Sequence, residues 1–196
     1  MKDDYLAPHS ICITLDGMLR YMAAPRIIGG RAKGAQLTTV KGKTRPTPSR
    51  LREALFDILA FKSKGTFLDL YSGTGVVGLE AASRDWNVTC VEVDETIART
   101  IRLNARKLKL DISVTCADAL SYVQENKFNP DVVFVDPPYE LNLIEIFTNI
   151  ESYLGMGVRI IALQFPSNLD ISQCNWKQEK HFEIRRYGSN SLALLH

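Results

Sequence analysis

An α/β fold, built on a mostly parallel seven-stranded sheet with an antiparallel terminal strand, is what this 196-residue sequence predicts. Three observations carry that reading. From Thr66 onward, short uninterrupted apolar runs alternate with helix-prone stretches, the pattern of parallel strands covered on both faces. The first of these runs ends in a glycine cluster that opens a helix. The length suffices for one well-buried domain and is too short for two of ordinary size.

The elements follow in order. Residues 1–24 show no sustained periodicity and read as a tail, within which Met18 and Met22 are candidate starts. Arg26–Ile28 and Gln36–Val40 are β-prone stretches separated by Gly29, Gly30 and Gly34, a small hairpin or ribbon. Thr47-Pro48 reads as a helix cap with proline at the first helical position. Leu51, Ala54, Leu55, Ile58 and Leu59 then form one helical stripe, with Arg50, Arg52 and Glu53 off it. Strands are expected at Thr66–Tyr71, Val88–Val93, Ile112–Cys116, Asp131–Val135 and Val158–Phe165. Helices are expected at Val76–Arg84, Glu95–Leu110, Ala119–Glu125 and Asn142–Leu154, the last stopped by Gly155. Trp176–Ile184 and Ser191–Leu195, joined through 185–190, read as a terminal hairpin at one sheet edge. The division is thus a tail (1–24), a basic segment (25–62) and an α/β domain (63–196).

Composition narrows the class. At 45% hydrophobic and 23% charged residues, the chain is that of a globular protein and not a disordered or fibrous one. No apolar run approaches the roughly 18 residues of a membrane span. Ser10–Leu15 is too brief, and its flank too acidic, for a secretory signal. Cys12, Cys90, Cys116 and Cys174 lie far apart with no C-x-x-C pair, so buried thiols in a reducing cytoplasm are expected. His9, His181 and His196 lack ligand spacing, and no metal is expected.

The net charge of +2 conceals an asymmetry. Eight basic residues (Arg26, Arg31, Lys33, Lys41, Lys43, Arg45, Arg50, Arg52) and no acid lie between Arg26 and Arg52. The rest of the chain is net acidic. A basic segment on an acidic body points to a polyanion such as nucleic acid, against the simpler reading of a solvated charged face.

Ser72-Gly73-Thr74-Gly75-Val76-Val77-Gly78 has G-x-G-x-x-G spacing where a strand turns into a helix. Small residues there let the backbone approach a ligand and let helix and strand pack closely. Glu92, at the end of the second strand, can accept both hydroxyls of a ribose. Alone, these features also fit a nicotinamide or flavin site, or an ordinary tight turn. The surrounding charge separates the readings. Asp69, Glu92, Asp118 and Asp136 fall at the carboxyl ends of strands and should converge on one crevice. They would repel a pyrophosphate by about 1 kcal/mol per close pair even in water. A cationic ligand without phosphate, such as S-adenosylmethionine, fits that field. Asp118 also fits a helix N-cap.

Asp136-Pro137-Pro138-Tyr139 ends the fourth strand. The prolines hold a stiff chain with no N–H to donate. The turn therefore presents acceptors, the Asp136 carboxylate and the Pro137 carbonyl, followed by an aromatic ring. Such a ledge suits the two N–H bonds of a nucleobase amine. Holding both protons favours a pyramidal nitrogen whose lone pair can attack a methyl, while Tyr139 stacks on the base.

These residues resemble the S-adenosylmethionine-dependent amino-methyltransferases with a D/N-P-P-Y/F motif. Arg26-Ile27-Ile28-Gly29-Gly30, Gly34, Leu37, Arg45-Pro46-Thr47, Arg50, Arg52, Glu53, Leu55 and Phe56 are similar to the N-terminal signature of the RsmD family. Asp69-Leu70-Tyr71-Ser72-Gly73-Thr74-Gly75, Gly78-Leu79-Glu80-Ala81 and Tyr187-Gly188 are similar to its later segments, so the resemblance covers about residues 26–195. It implies a Rossmann-like class I methyltransferase that methylates N2 of a guanine in 16S ribosomal RNA. The partner would be the small subunit or its assembly intermediate; the enzyme would be a monomer with neither metal nor membrane. Asp136, Pro137 and Tyr139 would be catalytic. Asp69, Ser72, Gly73, Gly75, Glu92 and Asp118 would bind cofactor. Arg26, Arg31, Lys33, Arg45, Arg50 and Arg52 would bind RNA. Asp85 stands where a glycine is expected, and Gln164 where relatives often have glutamate. A DNA adenine or cytosine methyltransferase, an RNA-binding assembly protein with an idle cofactor site, and a nicotinamide oxidoreductase are the alternatives; the acidic crevice and the proline turn oppose the last.

Overall fold

A computed structural model describes residues 10–12, 20–22, 24–40, 42, 46–126, 129–154, 157–174 and 182–196. Within the segment read as a tail, β1 (Ser10–Cys12) and β2 (Arg20–Met22) pair antiparallel. The expected N-terminal ribbon is one antiparallel bridge, Arg26 to Gln36, closed by Ile27 N–H to the Ala35 carbonyl at 3.0 Å. Gly30 and Gly34 have φ of 71° and 85° within it.

Helix α1 (Ser49–Leu59) buries Leu51, Leu55 and Leu59 of the expected stripe, leaves Ala54 and Ile58 half-buried, and adds Phe56 and Arg52 to the buried face. Its cap is Pro48, not Thr47, and no side chain caps it. The α/β alternation then runs β3 (Thr66–Leu70), α2 (Val76–Ser83), β4 (Asn87–Glu92), α3 (Glu95–Leu108), β5 (Ile112–Cys116), α4 (Ala119–Glu125), β6 (Val132–Val135), α5 (Leu143–Tyr153) and β7 (Ile160–Pro166). Asp94, Asp118 and Asn142 cap α3, α4 and α5 through their side chains, which is why polar residues interrupt the apolar pattern at those points. The chain ends in β8 (Phe182–Tyr187) and β9 (Asn190–Leu195).

The sheet has the strand order β5-β4-β3-β6-β7-β9-β8. Strands β3 to β7 are parallel, and β9 inserts antiparallel between β7 and β8. The seven-stranded expectation holds. The hairpin register does not: the strand expected to end at Ile184 continues to Tyr187, and the turn is Gly188-Ser189. Residues 175–181, where that strand was expected to begin, lie outside the described residues. β8 is exposed along nearly its whole length, so no buried face marks its limits.

One core layer packs α1, α2, α3 and the 27–37 segment on one face of the sheet; the other packs α4 and α5 on the opposite face. Strand order reverses between β3 and β6, and the crevice for a ligand lies beyond the carboxyl ends of these two strands. No helix among the described residues is long and apolar enough to cross a membrane.

Candidate active site

Leu70 of β3 pairs with Val135 of β6, so the glycine loop and the Asp-Pro-Pro-Tyr turn leave the sheet side by side. The loop is made by three successive departures into the left-handed region: Tyr71, Gly73 and Gly75, with φ of 58°, 51° and 71°. A tyrosine at such a φ is uncommon and is held by the surrounding turn. At Gly78 a Cβ would stand 2.4 Å from Cys90 Sγ, so only glycine lets α2 lie this close to β4.

Asp69 lies beneath this loop. Its Oδ2 accepts the Gly78 N–H at 2.9 Å, and the residue is fully buried. Burial pushes its carboxyl up to about 8, with Asp136 and Glu92 adding to the rise and the Gly78 N–H opposing it. Ser72 is also buried, its hydroxyl donating to the Asp69 carbonyl at 2.7 Å. These two residues shape the loop from below. Glu92 accepts the Gly73 N–H at 2.8 Å and the Asp94 N–H at 2.9 Å. A carboxylate has about four acceptor sites, so capacity for a diol remains. Asp118 is exposed and caps α4 by accepting the Ser121 N–H at 2.9 Å. Its charge and burial together push Tyr71 up to about 12, burial being the larger cause. Asp136 and Glu92 act electrostatically on Asp69, and Asp118 acts on Tyr71, all at the carboxyl end of the sheet; Asp69 itself is buried beneath the loop. The acceptors that Glu92, Asp118 and Asp136 offer suit a ligand carrying ammonium, sulfonium and ribose hydroxyls.

On the other side of the crevice, Pro137 is buried and Asp136 half-buried. The Thr47 hydroxyl donates to Asp136 Oδ2 at 3.0 Å. Tyr139 is 36% exposed, and its hydroxyl donates to Asn190 Oδ1 at 2.7 Å while accepting from Gln164 Nε2 at 3.4 Å. Both partners are buried. The ring is therefore held by its hydroxyl, three residues after Asp136. Thr47, Gln164 and Asn190 are the site residues the sequence reading missed. Gln164 stood out in the sequence as a polar residue in an apolar run and as a departure from the relatives' glutamate, Thr47 read as a helix cap and as part of the N-terminal signature, and Asn190 carried no signal.

The basic residues divide. Arg26, Arg31, Lys33 and Arg50 are exposed. Arg31 N–H donates to the carbonyl of Ser83, the last residue of α2, so the 30–34 turn lies about 12 Å along the helix from the glycine loop. Arg50 lies on the first turn of α1, three residues from Thr47. Arg45 is outside the described residues. Arg52 is a correction: it is 3% exposed and donates to the Thr47 and Arg26 carbonyls and to Glu80. A buried, paired guanidinium cannot reach an RNA phosphate, and Arg52 is structural.

A twisted parallel sheet with this strand order, a glycine loop after β3 and an acid ending β4 define the fold of the class I methyltransferases. A human methyltransferase 10 domain containing protein shares that fold, with a TM-score of 0.67 at 16% identity over 83% of this chain and 87% of that one. The family model described as Conserved hypothetical protein 95 matches residues 25–196, and the chain belongs to that family, the RsmD family. Ribosomal RNA small subunit methyltransferase D of Haemophilus influenzae is 34% identical over 128 residues, 61% of this chain and 66% of that protein. The protein of the same name from Escherichia coli K12 is 35% identical over 129 residues, 64% and 65% of the two chains. The match thus spans just under two thirds of these relatives' length. Among solved structures, a hypothetical protein of Thermus thermophilus aligns with a TM-score of 0.78 at 34% identity, covering 88% of this chain and 99% of that one. The protein yhhF of Escherichia coli aligns at 0.73 with 27% identity, covering 87% and 96%.

Proposed function

We propose that this protein methylates the exocyclic N2 of a guanine in 16S ribosomal RNA, with S-adenosylmethionine as methyl donor. The observation that carries the reading is the pairing of Leu70 with Val135 where the strand order reverses, which sets the glycine loop and the Asp-Pro-Pro-Tyr turn side by side at one end of the sheet. The names of the curated relatives, ribosomal RNA small subunit methyltransferase D, support the choice of RNA.

Glu92 would hold the ribose hydroxyls and Asp118 the adenine end, on the glycine loop that Asp69 braces from below. When bound, the cofactor supplies an electrophilic methyl on a sulfonium centre. The chain's own residues do the rest. Asp136 and the Pro137 carbonyl accept the two N–H bonds of the guanine amine, turning its lone pair out of the ring plane. Tyr139 stacks against the base. The nitrogen gains a methyl and gives up one proton, for which Asp136 is an acceptor.

The test is methyl transfer from labelled S-adenosylmethionine to small subunits from cells lacking the protein, with the modified nucleotide read by mass spectrometry. Asp136→Ala should cut transfer by roughly a hundred-fold or more, with S-adenosylhomocysteine affinity within a few-fold of wild type. Near-normal turnover of that variant would remove the mechanism. Transfer to duplex DNA but not to RNA would favour the DNA alternative.

A further inference from the structure

A cleft of about 460 Å³ opens between the start of α1 and the β8–β9 turn, lined by Pro48, Ser49, Arg50, Arg186, Tyr187 and Gly188. Both walls continue directly into the candidate site. Pro48 follows Thr47, whose hydroxyl donates to Asp136; Tyr187 pairs with Asn190, which accepts from the Tyr139 hydroxyl. The cleft thus adjoins the ledge assigned to the target amine.

Its charge has one sign. Two arginines reach it from elements 136 residues apart in sequence (186 less 50), and no acid is among its lining residues. Both are exposed, and neither enters an ion pair among the described residues. The neighbouring Arg185 makes the contrast: Glu183 on the same strand holds it at 2.8 Å. α1 also has no acidic residue in its first turn. Two unneutralised guanidinium groups facing one space repel each other, and an anion between them relieves that repulsion. A planar guanidinium matches phosphate oxygens, two donors at a time.

We propose that this cleft seats a backbone phosphate of the RNA strand beside the target nucleotide, held by Arg50 and Arg186. The inference rests on the RNA-methylation reading and adds to it a contact from the far end of the chain, outside the basic 26–52 segment. A strand gripped here has its neighbouring base within reach of Tyr139, so the contact positions and does not react.

The test uses the full chain. Arg186→Gln, Arg186→Lys and Arg50→Gln are compared with wild type for binding of a short fluorescein-labelled single-stranded RNA across a salt series. Methyl-transfer kinetics on small subunits and S-adenosylhomocysteine calorimetry accompany it. Each glutamine variant should lose roughly ten-fold in RNA affinity, and the slope of log affinity against log salt should fall by about 0.7 per lost contact. KM for the subunit should rise correspondingly, with kcat within about two-fold and cofactor affinity unchanged. Arg186→Lys should keep the salt slope. If wild type methylates the subunit while Arg186→Gln matches it in RNA affinity, slope and KM, the cleft assignment falls and the functional reading stands. If wild type transfers no methyl to RNA while the arginine-dependent salt slope persists, the functional reading falls and the phosphate site stands. Binding of inorganic phosphate with no effect of Arg186→Gln on RNA overturns the assignment to RNA.

Discussion

The Thr47 hydroxyl donates to Asp136 Oδ2 at 3.0 Å across 89 residues of sequence. Two residues before α1, the basic segment therefore touches the acid that opens the proline turn. The same stretch is fixed from behind, because Arg52 donates to the Thr47 carbonyl at 3.3 Å. The backbone that carries Arg50 thus adjoins the residue that holds Asp136.

Thr47→Val keeps the shape of the side chain and removes the donor. Methyl transfer should slow by roughly ten-fold, about the 1.4 kcal/mol of one hydrogen bond to a charged group, with S-adenosylhomocysteine affinity unchanged. Thr47→Ser should restore the rate. Single-turnover transfer measures this step; an unchanged rate in the valine variant would make the bond a packing feature only.

Glu80 of α2 is fully buried and binds three parts of the chain. Its Oε2 accepts the Ile28 N–H at 2.7 Å and lies 3.5 Å from Arg52 Nη1, while its Oε1 meets Arg84 at 2.9 Å. Arg84 in turn lies over the Phe56 ring, 4.9 Å from its centroid. Removing one partner of a buried pair leaves the other uncompensated, at about 3–5 kcal/mol. Glu80→Ala should therefore lose stability on that scale in urea unfolding, with early protease cleavage near Ile28. Arg31→Ala, on an exposed side chain, should fall within about 0.5 kcal/mol of wild type.

Asp69 predicts a pH dependence. Its folded carboxyl, near 8, lies above the ordinary 3.8 because burial disfavours the charge. The folded state then binds the proton more tightly than the unfolded state does. Stability from this group is complete below about pH 4 and drains away as pH rises towards 8. Asp69→Asn keeps an oxygen for the Gly78 N–H and removes the titration. Urea unfolding at pH 5 and pH 8 should show a decline in wild type that is smaller in the variant; parallel declines would place the pH dependence elsewhere.

Particular residues show where sequence reading stopped. The strands from β3 to β7 and the helices between them were legible to within two residues at each end, because each apolar run is bounded by a capping acid, an asparagine or a glycine. The β8–β9 register was not, since an exposed edge strand has no buried face to set its phase. Asp69, Glu92, Asp118 and Asp136 were legible as acids near strand ends, because strand ends in a parallel sheet lie on one side by topology. Arg52 was misassigned because its partner, Glu80, is 28 residues away on another helix. Gln164 and Asn190 became partners of Tyr139 only through the insertion of β9 beside β7.

By itself, the sequence determined the α/β order, the glycine loop and the acceptor turn, all of which are written in residues close together along the chain. Only the tertiary structure decided which charges are buried and which stay exposed. It also decided that Thr47 meets Asp136, and that arginines from the two ends of the chain share one cleft. Periodicity and turn chemistry act over a few residues, whereas neutralisation of a charge depends on what the folded chain brings beside it.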